Sequence, residues 1–234
     1  MTNTRHRYVA LVWLVVTWLC ASSAFAANSA AEVNRMRGEV TASSASGESR
    51  RLTPGASVYA GDLIATGTRS FVTLNFKDGS RYSLGQRAQF RVEKFVYERS
   101  DDEDGFVARV FKGAFRFISG KIAKKRRSAM TTRLGVVATI GVRGTSVGGE
   151  VDDSGAATVV LLEPEEAGAQ TAIDVFNAHG AVTIDEPGFG TDIPDAQTPP
   201  SPPRRMRLRA IENLMRSLQQ IGRIGTPRPR VMRR

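Results

Sequence analysis

Val72-Thr73-Leu74-Asn75-Phe76-Lys77-Asp78-Gly79-Ser80-Arg81-Tyr82-Ser83-Leu84 sets the fold class. Apolar side chains fall at every second position from Val72 to Phe76, so they share one face of an extended strand. Asp78-Gly79 follows, a dipeptide suited to a tight primed turn because both residues tolerate positive φ. The return strand puts Tyr82 and Leu84 on one face. This is a β-hairpin with one buried side.

The period-2 pattern continues outward from that hairpin. Upstream, Val33 to Thr41 gives two short extended pieces around Gly38, and Pro54-Gly55 and Ala60-Gly61-Asp62 are turns. Downstream, Phe90, Val92 and Val96-Tyr97 extend the pattern to the polar loop Asp101-Asp102-Glu103-Asp104-Gly105. Phe106 to Ile118 resumes it, broken by Gly113. The charged break Lys124-Lys125-Arg126-Arg127 follows, and then the glycine-rich run Val136 to Val147. Thr158 to Leu162, Ala172 to Phe176 and Ala181 to Ile184 are three more short runs. No 12-residue stretch between 27 and 200 carries helical periodicity. Many short strands with frequent turns predict an all-β domain, a sandwich or a solenoid-like stack.

Beyond Asp195 the character changes. Thr198-Pro199-Pro200-Ser201-Pro202-Pro203 favours an extended polyproline spacer. Leu208, Ile211, Leu214-Met215, Leu218 and Ile221 then recur at helical spacing, with Arg205, Arg209, Glu212 and Arg216 off that stripe and Gly222 as a stop. The expected division is a signal peptide over 1–26, a β domain over 27–195, a Pro-rich linker over 196–203, and an Arg-rich amphipathic helix and tail over 204–234.

The first 26 residues read as a secretory signal. Arg5, His6 and Arg7 precede an apolar run from Tyr8 to Cys20, and Ala24-Phe25-Ala26 offers small residues for cleavage. Thirteen apolar residues rise about 20 Å as a helix, short of a membrane span. Thr17-Trp18-Leu19 before Cys20 lacks the small residue of a lipidation site. Cleavage after Ala26 leaves no cysteine, hence no disulfide framework. The expected location is periplasmic or secreted.

The net charge of +10 is segregated. Residues 204–234 hold ten arginines and one acid, Glu212, a net +9, whereas residues 27–203 hold 21 basic and 22 acidic residues. The high pI therefore belongs to the tail, and a nucleic-acid partner is not implied for an exported domain.

Gly144-Thr145-Ser146-Val147-Gly148 formally matches a G-x-S-x-G nucleophile motif. That motif needs a strand-turn-helix context, and here a strand and turn follow. The sole histidine after residue 26, His179, sits in an Ala-His-Gly turn. The acidic loop 101–104 lacks the ligand spacing of a calcium loop and reads as solvated. No catalytic group, metal site or cofactor is expected. The candidate contact residues are Arg143, Thr145, Lys124, Lys125, Arg126, Arg127, Arg205, Arg209 and Arg216. Arg143 offers five donors in a planar fork, suited either to a ligand carboxylate or to backbone carbonyls at a strand end. The second use is preferred, because buried backbone must be paired. The tail stripe suits a groove on its own domain, a partner protein or an anionic membrane surface.

Ala138-Thr139-Ile140-Gly141-Val142-Arg143-Gly144-Thr145 resembles the closing hallmark of the FecR domain family, a short β segment ending G-V-R-G-T. Other parts of that pattern precede it in order. Gly38-Glu39-Val40 resembles the opening pair. Leu52-Thr53-Pro54-Gly55 and Ala60-Gly61-Asp62-Leu63-Ile64-Ala65-Thr66-Gly67 resemble the "pG" and "GD.i.TG" sections. Leu74 to Ser80 resembles the "DGS" hairpin, and Val110 to Ile118 the "G.f.f" region. The likeness spans about residues 32–186. It implies an all-β extracytoplasmic module. In the best-known members that module follows a transmembrane helix and an anti-sigma segment, and relays a signal from an outer-membrane receptor. With a leader of 26 residues and no long C-terminal domain, the expectation is a stand-alone exported FecR-domain protein. Its expected work is binding a protein or glycan at the cell envelope, in sensing or signal relay, or else as a scaffold for an envelope or secretion complex.

Overall fold

The computed structural model describes residues 29–97, 103–125, 129–165 and 171–206, together with 209, 211–213 and 216. The signal-peptide expectation lies outside the described residues, as do Arg126 and Arg127.

The domain is all-β. Its strands begin with β1 (Ser29–Arg37), β2 (Val40–Ser43), β3 (Ser49–Arg51), β4 (Ser57–Tyr59) and β5 (Leu63–Thr66). The central hairpins are β6 (Phe71–Phe76), β7 (Arg81–Leu84), β8 (Gln89–Val96) and β9 (Gly105–Ile118). A short helix, α1 (Lys121–Lys125), precedes β10 (Met130–Leu134), β11 (Ala138–Arg143), β12 (Ser146–Val151) and β13 (Ala157–Leu162). The last are β14 (Ala172–Asn177), β15 (Gly180–Ile184), β16 (Phe189–Ile193) and β17 (Arg204–Arg205).

These strands build two open sheets. The front sheet runs β4-β1-β6-β7-β9-β12-β13-β16-β17. The back sheet runs β3-β2-β5-β8-β9-β10-β11-β14-β15. Pairing is antiparallel except between β9 and β10, which run parallel. From β6 onward the chain steps hairpin by hairpin between the layers. A sandwich in cross-section is thus built by a solenoid-like progression along its length.

Strand β9 belongs to both sheets. Residues up to Lys112 pair with β8 in the back, and Gly113 onward pairs with β12 in the front. Gly113 turns the strand at φ 92°, and a Cβ there would lie 2.6 Å from the Ala88 Cα. Only glycine fits this switch.

The core fills the space between the layers. Tyr82 of β7 stacks 5.1 Å from Phe117 and lies 4.9 Å from Phe90 of the back sheet; Phe76 meets Phe106 at 4.5 Å. The Tyr82 hydroxyl shares a 2.6 Å hydrogen bond with Thr132 Oγ1 of β10 across the interior. Burial pushes the Tyr82 phenol well above its ordinary range, and the bonded Thr132 opposes that only in part.

Several sequence expectations are corrected. Asp78-Gly79 does not form a two-residue primed turn. Phe76 N–H donates to the Ser80 carbonyl and only Gly79 of the pair has positive φ, so the connection has three residues. The reason is the Asp78 carboxylate, which accepts from Ser80 N–H at 3.0 Å and Ser80 Oγ at 2.7 Å. Ser80 Oγ in turn accepts the Gly120 N–H at 2.8 Å, and the Asp78 carbonyl accepts that of Lys121. The DGS turn is thus the platform on which α1 starts.

Lys124 and Lys125 lie in α1 and not in a loop between strands. Lys125 pairs with Asp104 at 2.7 Å, and Asp104 is buried, so the acidic loop is not wholly solvated.

The proline-rich stretch is fastened to the sheets and spans no gap. Ser201 N–H donates to the Asp192 carbonyl, Thr191 Oγ1 donates to the Ser201 carbonyl, and Asn177 Nδ2 donates to the Thr198 carbonyl. Proline lacks an N–H, but Ser201 and the prolyl carbonyls still offer partners to an edge strand. The expected C-terminal amphipathic helix is not established. Arg209, Ile211–Asn213 and Arg216 are helical in fragments, and the rest lies outside the described residues. No helix among the described residues is long and apolar enough to cross a membrane.

Candidate interaction cleft

At one end of the front sheet the turns after β1, β5, β7 and β12 converge. Arg37 closes β1, and the Glu39 N–H that follows donates to Ser70 Oγ at 2.9 Å. The loop after β5 carries Gly67-Thr68-Arg69-Ser70, and the loop after β7 carries Gly85-Gln86-Arg87-Ala88. Each places its arginine in the left-handed region, at φ 53° for Arg69 and 52° for Arg87. Arg87 N–H donates to the Gly67 carbonyl at 3.1 Å, and Arg69 N–H to Gln86 Oε1 at 3.3 Å. Buried Thr66 fastens both loops, donating to the Gly85 carbonyl at 2.6 Å and accepting from Ala88 N–H at 2.8 Å. Left-handed backbone is uncommon for a long side chain and clusters where function requires a fixed display.

These turns wall a cleft of about 740 Å³. Arg37, Arg69, Arg87, Lys112 and Arg216 contribute five basic side chains, against Glu150, Asp152 and Asp153. The acids are not equal. Lys112 holds Asp153 at 2.7 Å, which keeps that carboxyl below its ordinary range. Asp152 is held low by the Ser154 hydroxyl and by turn N–H groups. Burial first, and then Asp152, pushes Glu150 up. Among the described residues no salt bridge holds Arg37, Arg69 or Arg87. The arrangement presents guanidinium forks to an anionic group, with carboxylate as the natural match.

The C-terminal segment forms the far wall. Ile211 is buried against the outer face of the front sheet, its Cγ1 3.1 Å and its methyl groups 3.2 Å from where a Gly148 Cβ would stand. Met206 Sδ lies 2.9 Å from the corresponding position at Gly190. Gly148, Val160 and Gly190 form a row across β12, β13 and β16. The two glycines make room for the segment on its own domain.

The other sequence candidates fall elsewhere. Arg143 ends β11 opposite Ala172. Gly144 at φ 60° then turns the chain from the back sheet to the front. Thr145 is buried there, its N–H donating to Ser119 Oγ at 2.7 Å and its carbonyl accepting from Ser119 N–H at 3.0 Å. Ser146 opens β12 with its Oγ sealed from solvent, on a strand and not on a nucleophile elbow. Lys124 and Lys125 sit on α1. Arg205 and Arg209 are exposed. Arg216 alone of the candidates joins the cleft, donating to Asn213 Oδ1 at 2.6 Å. Arg37, Arg69, Arg87 and Lys112 went unread in the sequence. The repeated Gly-x-Arg-small turn at 67–70 and 85–88 was the available signal.

The ordered turns, the β9 switch and the G-V-R-G-T crossing coincide with a family model. Residues 62–164 match the model described as FecR protein. This stretch of the chain is similar to the FecR family. Among the described residues no group of three or more His, Cys, Asp or Glu side chains is placed to hold a metal ion. The matched part runs from Asp62 through β13, and β1 to β4 and β14 to β17 continue the same two sheets.

No curated protein matches the sequence. Among solved structures, one titled "Cell surface anchoring domain" is 29% identical, with a TM-score of 0.26, covering 26% of this chain and 82% of its own. A candidate anti-sigma factor from Parabacteroides distasonis is 12% identical, with a TM-score of 0.47, covering 65% of this chain. The chain spans 64% of that structure's length. Neither likeness fixes the fold, which rests on the strand pairing itself.

Proposed function

We propose that this FecR-like protein is exported by cleavage after Ala26 and binds an acidic segment of an envelope protein in the arginine cleft. The observation that carries the reading is the pair of left-handed arginines, Arg69 and Arg87, held side by side by Thr66. The loop hydrogen bonds fix the backbone beneath both arginines, so little main-chain freedom is lost on binding. Arg205, Arg209 and Arg216 extend the positive field toward the tail, which favours an anionic envelope surface. Relay of a signal follows from a partner that exchanges on this cleft.

The test uses variants that the backbone accepts. Arg69→Gly and Arg87→Gly suit positive φ, so both fold. Binding to a poly-glutamate peptide, followed by fluorescence anisotropy, is expected to weaken about tenfold for each, the loss of one charge-assisted hydrogen bond. The wild-type affinity falls as salt rises from about 20 to about 200 mM, because exposed charges are screened. Unchanged binding in both variants, or binding indifferent to salt, rejects the cleft. Tight binding to a sulfated glycan alone replaces the protein partner with a glycan.

A further inference from the structure

The two sheets present four edges, and three are guarded. On β3, Arg50 donates to the Ser57 carbonyl of β4 at 3.0 Å and to Asp62, so those two edges are stitched together. The β17 edge is two exposed arginines long. The fourth edge is β15, Gly180-Ala181-Val182-Thr183-Ile184, which has no charge, no proline and no bulge. Sheets normally block an open edge with one of these devices.

The pairing of β14 with β15 fixes which groups are open. Their hairpin closes on Asn177 and Gly180, with Ala178-His179 between. A closing pair across two residues is hydrogen-bonded, and bonded pairs then alternate. Gly180, Val182 and Ile184 therefore direct their N–H and C=O toward β14. Ala181 and Thr183 direct theirs outward, and both residues are exposed. Among the described residues no backbone hydrogen bond reaches these four outward groups.

We propose that a second copy of this chain pairs antiparallel along β15, about a two-fold axis at Val182. Ala181 then faces the partner's Thr183, and Thr183 faces the partner's Ala181. Both are hydrogen-bonded pairs, so four bonds satisfy all four outward groups. A one-residue slip sets outward groups against inward ones and satisfies none. A two-residue slip runs the pairing off the strand into the His179 turn or past Ile184. The strand is thus self-complementary in one register, as an isologous contact requires. Val182 is half-buried against the core, and its copy on the axis closes that side chain from water. His179 stands opposite the partner's Asp185, a ring donor beside a carboxylate. Five residues a side lie at the small end of specific interfaces, so the dimer dissociates on the order of 100 µM.

Sedimentation equilibrium of the full exported chain from about 5 to about 500 µM tests this. The weight-average mass is expected to rise toward twice the monomer. Ala181→Pro removes an outward N–H that the fold does not use, and Thr183→Lys adds an edge charge. Each is expected to stay monomeric at the top concentration while keeping the wild-type circular dichroism spectrum. If Ala181→Pro fails to fold, Thr183→Lys still decides. A wild type monomeric throughout, or a dimer of equal strength in a folded variant, overturns the proposal.

Discussion

Arg69 and Arg87 keep a backbone conformation that most side chains avoid, and Glu150 faces them across the cleft with a carboxyl that resists ionising. Burial is the larger cause of that resistance and the neighbouring Asp152 the smaller. A carboxyl whose folded pKa lies above its unfolded value favours the native state below the unfolded pKa. It loses that advantage as pH rises through the folded value. Glu150→Gln is therefore expected to raise the melting temperature at pH 7 and to leave it unchanged near pH 3, as scanning calorimetry at the two pH values will read. At this scale the sequence was legible for glycines and illegible for the cleft. Gly144 carried its own sign, since a glycine between two polar residues after a strand marks a bend. Arg69 and Arg87 carried none until two loops distant in sequence were seen to share Thr66.

Strand β9 is the element on which the two layers depend. Gly113 bends it at a φ closed to other residues, with Ala88 directly behind. Gly113→Ala is expected to destabilise the domain by about 3 kcal/mol or more, from backbone strain and the clash together, measurable by urea denaturation. The period-2 reading located this strand and its glycine, because alternation reports which side chains share a face. It could not show that the face changes sheets, since Phe111 and Phe115 keep the same alternation on either side of the break. Turn chemistry was harder. The Asp78 carboxylate preferred Ser80 to a free primed turn, and the prolines at 199–203 hid a serine and carbonyls that could still bond an edge. Helix α1 escaped because five residues cannot display a helical period.

The molecule as a whole separates a nearly neutral β body from an arginine-rich C-terminal stretch, of which the described Met206 and Ile211 lie against that body. Met206 and Ile211 cover a glycine-lined row on the front sheet. Truncation after Arg205 is expected to cost about 1.5–3 kcal/mol, the worth of one fully buried aliphatic side chain. Dye binding should report newly exposed apolar surface, and a thermal melt the lost stability. The fold class was legible at this scale because alternation and turn spacing accumulate over many short strands. The tail's docking was not, because the apolar stripe named what seeks burial while the seat lay in two glycines some sixty and twenty residues upstream.

A strand threaded through both layers also governs how the domain comes apart. In an ordinary sandwich one sheet can peel from the other across a greasy seam. Here the central rung of each sheet is the same covalent stretch, so neither layer can melt alone. Loss of order at Gly113 propagates into both halves at once, and the domain transmits strain as one body.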